Sequence, residues 1–216
     1  MKKAIVTGAS GNLGKAVVEQ LLGNGYQVAG TGFLPVTSVG YSGTKINLAD
    51  EAFTNEWVSS VIQQGAVHTA VLTVGGFAMG DIAATTATAI QEQITLNFNT
   101  AYNVARPVFL HMKEQGAGTI FLLGSQAGME PEKNIGVFAY GLAKSLLFRL
   151  ADLMNLEAAG SAVKVFVVVP FIIDSLQNRS SMPEADRSNW QTPAQIAERI
   201  CSYIQDPREK DSRMLF

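Results

Sequence analysis

Charge and cysteine are what this chain has least of. Only 16% of its 216 residues are Asp, Glu, Lys or Arg, and the formal net charge is −2. With no basic cluster, such a chain offers no electrostatic footprint for nucleic acid. Cys201 is the single cysteine, so an internal disulfide is impossible, and a reducing, cytoplasmic setting is expected. His68 and His111 are the only histidines. Neither has a cysteine or paired acids at ligand spacing, so no metal site is expected. No apolar run is long enough to span a bilayer, and the start "MKKAIVTGAS" lacks the apolar stretch of a signal peptide. Internal repeats and low-complexity tracts are also missing.

What is abundant is apolar side chain, at 47%, and glycine, with 20 residues. At this length that implies one domain, residues 1–216, with a full core. Short apolar runs alternate with helical periodicity. "KAIVT" (3–7), "YQVAGTGF" (26–33), "TKINL" (44–48), "HTAVLTVGG" (68–76), "GTIFLLGS" (118–125) and "VKVFVVVP" (163–170) are expected as strands, and "SRMLF" as a short last one. Helices are expected over 12–23, 49–64, 84–114, 138–159 and 192–206, the last with Thr192 as N-cap and Pro193 at its first position. Strands that are apolar throughout are covered on both faces. The expectation is a Rossmann-type α/β fold: a doubly wound, mostly parallel sheet of about seven strands with helices on both faces.

"TGASGNLG" (7–14) joins the first strand to the first helix. Gly8 permits the tight turn, Gly11 or Asn12 lets backbone approach a pyrophosphate, and Gly14 allows close helix–strand packing. The helix N-terminus supplies unpaired N–H groups to phosphate. The acid that would hold the ribose 2′-hydroxyl of NAD is expected near the end of the second strand, where Gly32 stands instead. Lys15, Thr37 and Ser38 could favour a 2′-phosphate, so the choice between NAD and NADP stays open. "YGLAK" sets Tyr140 and Lys144 at i, i+4 on one helix face. An ammonium beside a phenol favours the phenolate, and a tyrosine tuned in this way can serve as an acid or base.

Together, the glycine loop, "VGG" after strand four, "LLGS", "YGLAK" and "VVVP" resemble the short-chain dehydrogenase/reductase family over essentially the whole chain. The resemblance implies a catalytic set of Asn97, Ser125, Tyr140 and Lys144. Tyr140 would be the acid/base. Lys144 would hold the nicotinamide ribose and lower the tyrosine pKa. Ser125 would bond the reacting group, and Asn97 would anchor a water in a proton relay. The implied NAD(P)H surface comprises Gly8, Ser10, Gly11, Asn12, Leu13, Gly14, Gly32, Asn47, Leu48, Gly75, Gly76, Tyr140, Lys144, Pro170, Ile172 and Ile173. Pairing of the two long helices into a homodimer or homotetramer is also implied, the helices being apolar on more than one face. The chain departs from the family in its shifted middle glycine, in "TVGG", and in Phe171 after Pro170.

"VGGFAMGD" (74–81) and "NRSSMPEADRSNW" (178–190) resemble one branch of that family, the dihydropteridine reductases. That implies hydride transfer to a quinonoid dihydropterin, with Phe77, Ser125, Tyr140 and Met182 facing the small-molecule substrate and residues 171–191 forming a lid. Asn178 and Arg179 would lie near the hinge, and Trp190 would be an apolar anchor. Ser125 and Gly32 depart from the branch, whose members usually lack the serine and carry an acid at the second position. A general carbonyl reductase or alcohol dehydrogenase is therefore the alternative expectation, with a nucleotide-sensing non-enzyme as the third. Glu130 and Glu132, around Pro131, are expected in a solvated loop. Cys201 and Trp57 are expected in packing, and His111 as a cation late in its helix.

Overall fold

A computed structural model describes residues 2–32, 39–207 and 211–216. Thr37 and Ser38 lie outside the described residues. Seven strands form one sheet: β1 (Lys3–Thr7), β2 (Gln27–Thr31), β3 (Tyr41–Thr44), β4 (Val67–Leu72), β5 (Ala117–Leu123), β6 (Ala162–Val169) and β7 (Arg213–Leu215). Their order is β3-β2-β1-β4-β5-β6-β7, and every neighbouring pair is parallel, including the short last strand. The chain reverses direction across the sheet between β1 and β4, and in open α/β sheets ligands bind at the carboxyl ends of the strands at such a switch point.

The helices are α1 (Asn12–Gly23), α2 (Glu51–Gln63), α3 (Ala87–Ile94), α4 (Thr100–Gln115), α5 (Gln126–Met129), α6 (Phe138–Glu157), α7 (Leu176–Ser181) and α8 (Pro193–Gln205). One face of the sheet packs Ile5, Leu72, Ile120, Leu122 and Val167 against α2, α4 and α6. The other packs Val6, Phe121, Phe166 and Val168 against α1 and α8. Phe121 and Phe166 stack across adjacent strands with centroids 5.6 Å apart. Each such fully buried side chain contributes about 1.5–3 kcal/mol. Cys201 and Trp57 are buried in these cores. Burial pushes the Cys201 thiol up to about 11, which keeps it inert.

Strand β4 stops at Leu72 rather than running to Gly76, and the helix expected from residue 84 begins at Ala87; two further differences change the place or kind of an element. The third strand is Tyr41–Thr44, one turn of chain earlier than "TKINL", because the polar "YSGT" is an edge strand whose pairing with β2 sets its place. The stretch expected as one helix over 84–114 is α3 and α4 joined by a π-helical turn, Thr95–Asn99. Such a one-residue widening often marks a functional position. Two short helices and a 3-10 turn at Pro131–Asn134 fill the loops on the carboxyl side.

His111 is not a cation as expected. Its Nε2 accepts the Val67 N–H at 3.2 Å, and burial, the largest influence, lowers its pKa. His68 Nδ1 likewise accepts the Lys3 N–H. A ring nitrogen that accepts a hydrogen bond must be unprotonated.

Candidate functional site

The loops leaving β1, β4, β5 and β6 all open at the carboxyl edge of the sheet. The end of β1 is tied to the end of β4: the Thr73 hydroxyl donates to the Thr7 carbonyl at 2.7 Å, and the Thr73 N–H donates to the Thr7 hydroxyl. Thr73 was not visible as a site residue in the sequence. Gly8 has φ 66°, a left-handed conformation that glycine adopts freely. A Cβ on it would stand 2.7 Å from the Thr73 hydroxyl, and one on Gly14 would overlap the Gly8 carbonyl. The loop therefore packs backbone on backbone, which these glycines alone permit.

α1 has Gly11 as its N-cap, with no side-chain cap and no acid in its first turn. Its first N–H groups, at Asn12, Leu13 and Gly14, are offered at the sheet edge with nothing from the helix's own side chains to satisfy them. That arrangement suits a pyrophosphate, so the residues present fit a dinucleotide. At the end of β2, Gly32 donates its N–H to the Thr44 carbonyl, and a Cβ there would be 2.6 Å from the Ser10 hydroxyl. Ser10 occupies the space a side chain at 32 would need. Asn47 turns on itself, accepting from Ala49. Leu48 is buried, and its carbonyl accepts from Asn103.

The four residues expected to do chemistry converge on this edge from three elements. Ser125 ends the β5 loop and N-caps α5, accepting from Ala127. Tyr140 and Lys144 sit in the first two turns of α6. Asn97 lies in the π-helical turn, fully buried. Burial raises the Tyr140 pKa, and a hydrogen bond with the Ser125 side chain pulls it the other way. The sequence expectation was that Lys144 lowers it. Instead, the Lys144 ammonium donates to the Leu123 carbonyl at 2.7 Å and stands 5.8 Å from the centre of the tyrosine ring. Burial brings Lys144 itself down to about 7.

The Gly75–Gly76 turn after β4 lies against these groups. Asn97 brackets Gly76, accepting from its N–H and donating to its carbonyl. A Cβ on Gly75 would be 2.6 Å from Asn97 Oδ1 and 3.1 Å from Lys144 Nζ, so glycine is required here for space. Phe77 follows and packs edge-on against Tyr140, with centroids 5.2 Å apart. It is 65% exposed. The loop carrying it is pinned to the start of α6, since Gly80 bonds both Gly136 and Phe138 through backbone.

Pro170 is buried at the end of β6. Beyond it, residues 171–191 fold back on themselves. Asp174 N–H donates to Gln191 and Gln191 N–H to Ile172, while Phe171 N–H donates to the Gln191 side chain. Arg179 grips Asp174 through two hydrogen bonds, Asn178 donates to the Ile173 carbonyl, and Trp190 is buried. Met182 is the C-cap of α7, half-buried. Gln191 closes this segment, a role without a motif in the sequence. Glu130 and Glu132 flank the start of the 3-10 turn between Ser125 and Tyr140.

A cavity of about 300 Å³ lies at the opposite end of the sheet, lined by Lys3, Gln27, Tyr41 and Gln64 among others. The Lys3 ammonium there is taken up by the Val61 carbonyl. The four candidate residues lie at the carboxyl edge instead. Among the described residues no group of histidines, cysteines and acids could hold a metal ion, and no helix is long and apolar enough to cross a membrane.

A family model described as short chain dehydrogenase matches residues 2–186. The chain is 25% identical over 203 residues to the cyclohexanol dehydrogenase of Rhodococcus sp., spanning 81% of this chain and 75% of that one. It is 27% identical over 199 residues to the 2-(R)-hydroxypropyl-CoM dehydrogenase of Xanthobacter autotrophicus, spanning 84% and 79%. The solved structure of ElxO with NADP bound superposes with a TM-score of 0.87 at 20% identity, over 99% of this chain and 96% of that one. That likeness concerns the fold.

Proposed function

Because the chain belongs to the short-chain dehydrogenase family and is an NAD(P)-dependent oxidoreductase, we propose that it reduces a carbonyl-type group on a small molecule, with Tyr140 as proton donor. The observation that carries this is the convergence of Ser125 at the end of the β5 loop with Tyr140 and Lys144 on successive turns of α6, beside the Gly75–Gly76 turn at the carboxyl edge of the sheet. A nicotinamide cofactor bound at this edge supplies the hydride. The raised pKa of Tyr140 keeps its proton in place until a substrate oxygen takes it. Ser125 donates a second hydrogen bond to that oxygen, where negative charge develops. Lys144 holds the cofactor ribose. Asn97 fixes the Gly75–Gly76 turn beside Lys144. Residues 171–191 close over the edge as a lid and exclude water.

A second reading keeps the same machinery but gives it a planar, conjugated substrate such as a quinonoid dihydropterin. Phe77 favours it, since this exposed ring beside Tyr140 is placed to stack on a flat heterocycle. Met182 would then line the far side of the pocket. Cofactor choice stays open between NADH and NADPH: Gly32 provides no acid, and Ser10 is the side chain nearest to it.

The test is NADH and NADPH oxidation over a panel of ketones, aldehydes and a quinonoid dihydropterin, with wild type, Tyr140→Phe and Ser125→Ala. Tyr140→Phe is expected to lose at least about 100-fold in turnover while still binding cofactor. Ser125→Ala should lose roughly 100-fold or more on carbonyls but less on the pterin. Turnover undiminished in Tyr140→Phe defeats the proposal.

A further inference from the structure

Asn97 is 0% exposed, so each of its amide atoms must find a partner inside the protein. Its oxygen accepts the Gly76 N–H at 3.1 Å. Its nitrogen has two hydrogens to place. One acceptor is the Gly76 carbonyl at 3.0 Å. On the other side are the Gln93 carbonyl at 3.2 Å and the Gln93 side-chain Oε1 at 3.0 Å. Gln93 stands at i−4 from Asn97, at the end of α3 just before the π-helical turn. Of these partners, only the Gln93 Oε1 belongs to a side chain.

The orientation matters because of what faces it. The space beside Gly75 that lacks a side chain is bordered by Asn97 Oδ1 on one side and Lys144 Nζ on the other. The Asn97 carbonyl thus turns the negative end of its dipole toward the neighbourhood of a buried ammonium. A dipole held this way favours the protonated lysine against the cost of burial. The two Gly76 bonds set which way the amide faces; without the Gln93 acceptor it can still rock about them, and the dipole then acts less strongly on the ammonium.

We propose that Gln93 is a positioning residue of the site: through its hydrogen bond to the Asn97 amide it holds the Asn97 carbonyl toward Lys144 and fixes the Gly75–Gly76 turn between them. This rests on the site assignment made under Proposed function. Gln93 touches neither substrate nor cofactor and acts only through Asn97.

The experiment compares Gln93→Met, which removes the acceptor, with Gln93→Glu, which keeps an acceptor oxygen at the same reach. In Gln93→Met, kcat is expected to fall about tenfold, the worth of one buried hydrogen bond. The limb of the pH–kcat profile that reports Lys144 should move to lower pH, with the KM for cofactor less affected. Gln93→Glu should restore most of kcat. A wild-type pH profile in Gln93→Met, or Gln93→Glu as impaired as Gln93→Met, overturns the proposal. The second arm needs no turnover. In ¹⁵N NMR the Asn97 side-chain amide, assigned by its loss in Asn97→Asp, should exchange slowly with solvent in wild type. In Gln93→Met it should exchange at least about tenfold faster. Equal exchange in both proteins also overturns the proposal. If wild type turns over no substrate, the functional proposal fails while this arm still decides the role of Gln93.

Discussion

Lys144→Met is expected to make the protein more stable at neutral pH while abolishing its chemistry. The wild-type ammonium is 3% exposed, and burial brings its pKa from 10.5 to about 7. The folded-state value is depressed for a base, so the unfolded chain binds the extra proton between those two limits. Wild-type stability therefore rises with pH across that window and is lowest below it. At about pH 7 the burial cost is roughly 4 kcal/mol, at 1.36 kcal/mol per pKa unit. Methionine carries no charge and removes this cost. It also removes the partner of the Leu123 carbonyl, a loss of about 1–3 kcal/mol for an unsatisfied buried acceptor. The net expectation is a variant about 1–3 kcal/mol more stable than wild type near pH 7. By about pH 9.5 the wild type recovers roughly 3 kcal/mol and the advantage disappears. Urea denaturation of both proteins without cofactor, at the two pH values, measures it. A variant less stable than wild type at neutral pH, or a difference that does not shrink as pH rises, refutes the reasoning that a charged lysine is held there against its burial cost.

Gly14→Ala should destabilise the fold by about 1–3 kcal/mol and weaken dinucleotide binding, because its Cβ meets the Gly8 backbone and no side chain can move aside; denaturation and cofactor-binding titrations check both. His111 must be neutral to accept the Val67 N–H, and its folded-state pKa is lowered, first by burial. Its stabilising effect is thus present above its unfolded value, about 6.5, and is lost as pH falls below it. Denaturation between pH 7.5 and 5.5 should show this slope, and His111→Gln, which keeps an acceptor, should flatten it. Self-association is expected to run through the two long helices, where Leu110 on α4 and Leu153 and Leu156 on α6 are 45%, 53% and 73% exposed. Light scattering should show an oligomer that Leu153→Glu with Leu156→Glu dissociates; a monomeric wild type refutes it.

Where sequence reasoning succeeded, the responsible signal was local. Lys3–Thr7 and Asn12–Gly23 have the expected limits because β-branched run, glycine turn and helical spacing follow one another without ambiguity. Thr192 caps α8 and Pro193 opens it, with Thr192 and Gln195 forming a capping box. Tyr140 and Lys144 share a face because helical geometry makes every i, i+4 pair do so. Where it fell short, the cause was a partner far along the chain. The edge strand Tyr41–Thr44 has no apolar pattern and exists because β2 pairs with it. The π-helical turn has no composition of its own; it coincides with the point where Asn97 meets Gly76 from another loop.

The residues alone determined the alternation of apolar strands and helices, the glycine turn between β1 and α1, and the chemistry available: one phenol, one amine, one hydroxyl and one amide at family positions. The tertiary structure decided how those groups are charged and which neighbours hold them. Lys144 is an ordinary amine in the sequence and titrates near 7 in the fold, because only packing removes water from it. Gln93 is one of several polar residues in "IQEQITLN". Its i, i+4 spacing to Asn97 is local, but the need for its side-chain oxygen arises only when folding buries the Asn97 amide against Gly76, and desolvation is a property of the folded chain alone.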